Sequence, residues 1–340
     1  MRAFEIVERG HGEVVEVDPP VAGPGQVVVD VALVGICGTD VSIFTGDEAR
    51  LARSRLSYPI RLGHEWSGTV VELGEGVDPA WLGRRVTGDT LIGCGHCARC
   101  LSGRHHLCDD HWGIGVRRNW PGALAEKLLV PEVSLRGLPD EVDDEQGAMV
   151  EPGANSFRAV QAAGILPGST VLVLGTGAIG LIAAQFAIAA GGEVHVVGID
   201  DDGLRIARSL GVQGTWRPDE QPSTPWDAVI EATNSPVMPG FALDAVDAGR
   251  VAVFIGVAPT PSEVDARTIV HKEITVHGIL GGSLGLNDTI AAYADGSVDP
   301  RPLIAATVTL EQAEDVLTGR APHTRGPGPK FLIDPSRVDR

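Results

Sequence analysis

Thr170–Gly180, TVLVLGTGAIG, is the stretch whose reading decides the fold. An apolar run of strand length meets a glycine-rich turn and passes directly into LIAAQFAIAA, an apolar segment of helical length. Gly175, Gly177 and Gly180 fall in the pattern G-x-G-x-x-G, with Ala178 and Ile179 between the last two. The first glycine permits a tight turn, the second lets the backbone approach a pyrophosphate, and the third lets the helix pack closely, while the helix N-terminus presents the positive end of its dipole. In this strand, turn and helix context the pattern predicts a nicotinamide dinucleotide site. Without that context, in a chain of 44 glycines, it would read as an ordinary turn.

Downstream, the apolar runs EVHVVGID, WDAVIEAT, RVAVFIG and EITVHGIL alternate with helical segments, which is the pattern of a parallel, doubly wound α/β sheet. The second run ends at Asp200, where a carboxylate accepts from the adenosine 2′-hydroxyl and repels a 2′-phosphate, so NAD is expected. Counted back from the helix GLRIARSLG, however, the usual acidic position falls on Gly198, and a small residue there suits NADP. No Arg or Lys stands between Gly198 and Asp202 to meet a phosphate. Upstream, from Met1 to about Leu135, FEIVERG, EVVEVDPP, QVVVDVALVGI and SGTVVELG are short β-branched runs between Gly and Pro punctuation, the texture of a β-rich domain.

A chain of 340 residues is about two domains long, and its formal charge of −18 repels phosphate backbones and anionic bilayers. Neither a nucleic acid nor a membrane partner is therefore expected. The N-terminus has no apolar h-region and no later run is long enough to span a bilayer, which reads as a cytoplasmic protein.

Four of the five cysteines, Cys94, Cys97, Cys100 and Cys108, stand at C-x2-C-x2-C-x7-C. Four thiolates close a tetrahedron around Zn2+ and leave no open position, so residues 94–108 are predicted to be a structural zinc lobe. Disulfides and an iron–sulfur cluster are the competing readings, disfavoured by the acidic leaderless chain and by the long last gap. His96, His105, His106 and His111, in or beside the lobe, are then surplus to the metal and read as surface residues. The remaining cysteine, Cys37 in GICGTD, is either a buried inert thiol or a ligand. His64 in GHEWSG and Glu151 in MVEPGA favour the second reading. A thiolate, an imidazole and a carboxylate from separate loops give zinc three ligands and a free fourth position.

With these motifs in order, the sequence resembles the zinc-containing medium-chain alcohol and polyol dehydrogenases across nearly its whole length. The run GHE-x2-G-x5-G-x2-V from Gly63 to Val77, the cysteine lobe and GTGAIG carry the resemblance. It implies a GroES-like β-rich catalytic domain over 1–155 and 287–340, and a Rossmann domain over 156–286. It implies two zinc ions per chain, with Cys37, His64 and Glu151 holding the catalytic one and Glu65 a carboxylate able to approach it. Thr39 takes the place of the hydroxyl that touches the substrate oxygen. The implied activity is hydride transfer between a secondary alcohol or its ketone and NAD(P), by a homodimer or homotetramer. Ser42 stands where relatives often carry a relay histidine, Phe157 and Arg158 replace a Leu-His pair, and Asn234 replaces a glycine. CGTD together with GHEWSG is also similar, more locally, to aminocyclitol dehydrogenases of antibiotic biosynthesis. A reductase of activated double bonds and a cofactor-binding protein without catalysis are the alternatives.

Overall fold

Two apolar textures in the sequence produce two units, each built around its own sheet. In the computed structural model, which describes residues 1–338, the first unit comprises Met1–Glu151, Ile304–Gly326 and the stretch from Lys330. The second comprises Pro152–Leu303 with Pro327–Pro329.

The first unit is organised around one eleven-residue strand, Gln26–Ile36 (QVVVDVALVGI). Its β-branched residues suit a pleated, buried surface, and Val27, Val29 and Val34 enter the core with Leu62, Trp66, Val86 and Leu128. In the seven-stranded sheet the order runs Ile304–Thr309, Lys330–Asp334, Gln26–Ile36, Glu65–Leu73, Arg85–Gly88, Leu135–Gly137, and Lys127–Pro131 also pairs with the long strand. Register then does the positioning. Glu65 lies opposite Gly35, and Phe331 lies opposite Ile36, so Glu65 and Lys330 arrive at the strand end from which Cys37 emerges.

The second unit is a six-stranded, wholly parallel sheet. Its order is Gly214–Trp216, Glu193–Val197, Thr170–Leu174, Trp226–Glu231, Val246–Phe254 and Thr275–Gly278. Numbered along the chain this is 3-2-1-4-5-6, the doubly wound order of a dinucleotide-binding domain. Central strands covered on both faces read as continuous apolar runs, which is why TVLVL does not alternate. The helix after it, Ala178–Ala189, is buried from Gly180 to Ala187, as its all-round apolar sequence requires. The unit extends to Leu303 and does not end at 286. Helix Leu286–Ala294 turns Leu286, Thr289, Ile290 and Tyr293 inward, and Tyr293 packs so closely on Gly153 that a Cβ there would lie 2.1 Å from the phenol oxygen. An amphipathic helix shows that it serves a sheet without showing which one. Among the described residues, no helix is long and apolar enough to cross a membrane.

Candidate active site and metal centres

Cys37 caps the helix Gly38–Phe44: its Sγ accepts from the Thr39 N–H at 3.3 Å, while Asp40 returns an oxygen to the Cys37 N–H at 2.9 Å. This reciprocal cap fixes the thiol at the strand end. His64 Nε2 lies 3.3 Å from Cys37 Sγ. On the other side of the ring, His64 Nδ1 lies 3.3 Å from Asp40 Oδ1, without the alignment of a hydrogen bond. Glu65, the first residue of its strand, completes a group in which one ligand atom each from Cys37, His64 and Glu65 lie within 4.8 Å of one another. Glu151, which the resemblance implies as the third ligand, stands outside that group near the start of helix Val150–Ala163. Thr39 is half-buried, and the Ser42 hydroxyl donates to its carbonyl at 3.0 Å.

Lys330 was not foreseen as part of this site. Its Nζ is 2.6 Å from Glu65 Oε2 and 3.1 Å from the Ile36 carbonyl, and both charged side chains are 2 % exposed. Sequence offered no signal for it, because a lysine in a short terminal strand is ordinarily a surface residue.

Protons and a metal compete for this group. Burial pushes the Cys37 thiol up, and the Asp40 charge adds to it. Burial would lower the His64 imidazole, but Cys37 and Asp40 outweigh it and raise its proton affinity well above the ordinary value. A dication bound there would displace those protons and take the thiolate and the neutral imidazole as ligands. Bonds of ~2.3 Å to sulfur and ~2.1 Å to nitrogen hold those two atoms about 3.6 Å apart in a tetrahedron, within a few tenths of an ångström of the 3.3 Å found. The residues therefore fit a zinc ion. The carboxylate of Asp40 behind His64 is the outer partner that metal-bound imidazoles ordinarily have.

In the lobe, Cys94, Cys97, Cys100 and Cys108 also bring their sulfur atoms within 4.8 Å of one another. Cys94 to Cys100 is 3.9 Å and Cys97 to Cys108 is 3.7 Å. A tetrahedron with Zn–S bonds of ~2.3 Å has edges of about 3.8 Å, so this set fits too. All four are free thiols. The Cys94 thiol is pushed down to about 6 by backbone hydrogen bonds from His96 and Cys97, while burial pushes the Cys100 thiol up to about 11, so it is the sulfur geometry that carries the fit. Of the four histidines read as surface residues, His96 is exposed, His105 and His111 are half-buried and His106 is buried. Replacing Cys97 by serine is expected to remove one zinc equivalent per chain and make residues 94–108 protease-sensitive, as followed by metal analysis and limited proteolysis.

In the second unit, Gly175 adopts φ +114°, a conformation costly for any side chain. Helix Ala178–Ala189 begins with Gly177 at its N-cap, where no side chain occupies the first N–H groups. Asp200 caps helix Asp201–Ser209, one oxygen accepting from the Gly203 N–H at 2.6 Å and the other from the Thr176 hydroxyl at 2.9 Å. Thr176 lies inside GTGAIG, so the Asp200 carboxylate sits on the phosphate-binding turn itself. Position 198 has no room for an acid, since a Cβ there would lie 2.4 Å from Thr176 Cγ2. A cation does stand nearby: Arg217 donates to the Ile199 carbonyl at 2.5 Å and pairs with Asp201 at 2.6 Å. It comes from the end of a neighbouring strand, beyond the window in which sequence reasoning looked for one.

Residues 23–140 match the alcohol dehydrogenase GroES-like domain family, and residues 178–295 match the zinc-binding dehydrogenase family. An L-threonine 3-dehydrogenase of Chelativorans sp. (strain BNC1) is 32% identical over 327 residues, 93% of each chain. The chain belongs to the zinc-containing medium-chain dehydrogenases. Among solved structures, a zinc-binding dehydrogenase of Sinorhizobium meliloti 1021 bound to NADP superposes with a TM-score of 0.89 at 31% identity, covering 98% of this chain and 99% of that one. An alcohol dehydrogenase of Escherichia coli CFT073 complexed with NADH gives 0.88 at 26% identity, with 98% and 99% covered. This dehydrogenase is accordingly a zinc-dependent NAD(P) oxidoreductase.

Proposed function

We propose that this dehydrogenase oxidises a secondary alcohol flanked by a hydroxyl or amino group, as in a polyol, a sugar or an aminocyclitol of the kind found in antibiotics. Zinc sits at Cys37, His64 and Glu65 with Glu151 as a further carboxylate, and NAD is preferred over NADP. The observation that carries the reading is the convergence of Cys37, His64 and Glu65 within 4.8 Å, with His64 and Glu65 buried. A zinc ion held there supplies Lewis acidity toward the alcohol oxygen, and bound nicotinamide supplies the hydride acceptor. The chain's own residues do the rest. Asp40 faces His64 Nδ1 at 3.3 Å while Nε2 lies beside Cys37 Sγ, and Lys330 holds Glu65 Oε2. The Thr39 hydroxyl takes the alcohol proton into a relay. Ser42, whose hydroxyl donates to the Thr39 carbonyl, braces that turn in place of a relay histidine.

A flanking polar group is common to aminocyclitols, polyols and L-threonine, whose C3 carbinol lies beside an amine; eight curated relatives at 30–34% identity are named as L-threonine 3-dehydrogenases. The test is nucleotide reduction by the zinc-loaded chain with an inositol, an aminocyclitol, butane-2,3-diol, L-threonine and ethanol. Secondary alcohols with a polar neighbour are expected to exceed ethanol by about 100-fold in kcat/KM. Preference for ethanol would defeat the proposal, and turnover of L-threonine alone would replace it with an amino-acid substrate. For the nucleotide, Asp200→Ala is expected to lower kcat/KM for NAD about tenfold and leave NADP unimpaired. Equal losses with both nucleotides would assign Asp200 to the helix cap alone.

A further inference from the structure

We infer that Asp89 and His105 are positioning residues for the catalytic site: they tie the cysteine lobe to Thr90, whose hydroxyl holds the main chain of His64. The inference rests on the reading of Cys37, His64 and Glu65 as a metal site. Asp89 is 3% exposed, and a carboxylate buried to that depth must be partnered. Its Oδ2 lies 2.6 Å from His105 Nε2, and its Oδ1 accepts from the Leu91 N–H at 3.0 Å. One partner of this carboxylate thus comes from inside the lobe. Gly93 closes the same corner, for a Cβ there would lie 2.5 Å from Cys100 Sγ and 2.8 Å from His105 Cβ. The placement of His105 is therefore bound to that of a lobe thiol.

The next residue carries the link onward. Thr90 donates its hydroxyl to the His64 carbonyl at 3.0 Å and accepts the Ile114 N–H at 3.0 Å on its own carbonyl. After Ile114, Gly115 lies flat on Gly63: a Cβ on it would be 2.8 Å from the Gly63 oxygen and 3.0 Å from its nitrogen. The excursion that carries the lobe begins at Thr90, just past strand Arg85–Gly88, and closes at Ile114 and Gly115, so its two roots bear on His64 and Gly63. Metal ligands work only when held to within about 0.5 Å, and loss of their outer partners weakens metal binding by about 10- to 100-fold. A lobe closed on its four thiolates holds His105, His105 holds Asp89, and Asp89 sets the short link from which Thr90 reaches His64. The lobe is in this sense a splint for the catalytic ligand as well as a clamp on its own loop.

The test uses the full chain with zinc in the lobe and Co2+ at Cys37, reading the cobalt–thiolate absorption and its decay on adding a chelator. His105→Ala and Thr90→Val are each expected to release cobalt about tenfold faster than the unaltered chain and to shift its visible bands. His105→Gln, which keeps an N–H donor for Asp89, is expected to stay within about threefold of it. The double variant is expected to be no faster than the faster single one, because both changes break one path. Unchanged release in Thr90→Val, or effects that multiply in the double variant, would overturn the inference. If His105→Ala does not fold, Thr90→Val and His105→Gln decide alone. An unaltered chain that takes up no cobalt at Cys37 defeats the metal-site reading itself, whereas normal uptake with unaffected variants defeats only the positioning role.

Discussion

Replacing Cys37 by alanine is expected to cut kcat/KM for alcohol oxidation by at least about 1000-fold while the fold survives. The thiol is one of three groups that converge within 4.8 Å, and its sulfur lies 3.3 Å from His64 Nε2. Its removal would take away one of the three proposed ligands of the catalytic metal. The structural cost is small by comparison, since losing the thiol cap on helix Gly38–Phe44 forfeits about 1 kcal/mol. Metal analysis should find one zinc equivalent lost and the lobe zinc retained, the converse of Cys97→Ser. A Cys37→Ala chain with two zinc ions and undiminished turnover would falsify the assignment of this cluster as the catalytic centre.

The parts of this molecule that sequence reveals are those in which spacing and chemistry coincide over a short stretch. TVLVLGTGAIG shows strand, turn and helix in eleven residues, because glycine spacing is imposed by local backbone geometry. The lobe is equally local: its sulfur tetrahedron is written in gaps of two, two and seven residues. Cys37 became legible by elimination once the lobe had accounted for the other four cysteines, and His64 through the glycines around it.

Register and burial are harder to read. Glu65 comes to the site through the family resemblance and not through the residue pattern, because it follows His64 directly, and on a strand adjacent side chains point to opposite faces. The strand begins only at Glu65, however, and Gly63 with φ +100° turns the chain just before it, so His64 is exempt from the alternation. Asp200 shows a related difficulty. Counting from the helix assigns the ribose contact to position 198, but Thr176 fills that space, and the acid that touches the turn stands two residues on. The pairing of Asp89 with His105 was masked by the sound argument that four thiolates need no histidine. That argument excludes His105 as a ligand and says nothing of its other partners.

Lys330→Met is expected to lower Tm by about 10 °C, through loss of about 3–5 kcal/mol. Burial alone would lower the affinity of this lysine for its proton, but Glu65, together with Cys37 and Asp40, outweighs it and raises it, so the lysine keeps its charge. Lys330 and Glu65 are separated by 265 residues and joined at 2.6 Å, which makes the pair a tie between the C-terminal strand and the strand that carries the metal-facing glutamate. Removing the ammonium takes from the buried Glu65 carboxylate its direct ion-pair partner at 2.6 Å. Removing both charges is a different matter, since a buried ion pair replaced by neutral groups of similar volume often costs little. The double variant Lys330→Met with Glu65→Gln should therefore recover most of the lost Tm and still fail to turn over alcohol, because the carboxylate that faces the metal point is gone. Thermal melts and steady-state rates on the two variants separate the roles. If the single change were as stable as the unaltered chain, the ion pair would not be what holds Glu65 in place, and the Ile36 carbonyl contact at 3.1 Å would be the lysine's main attachment. If the double change recovered activity along with stability, Glu65 would be a structural acid and Glu151 the carboxylate that completes the metal site.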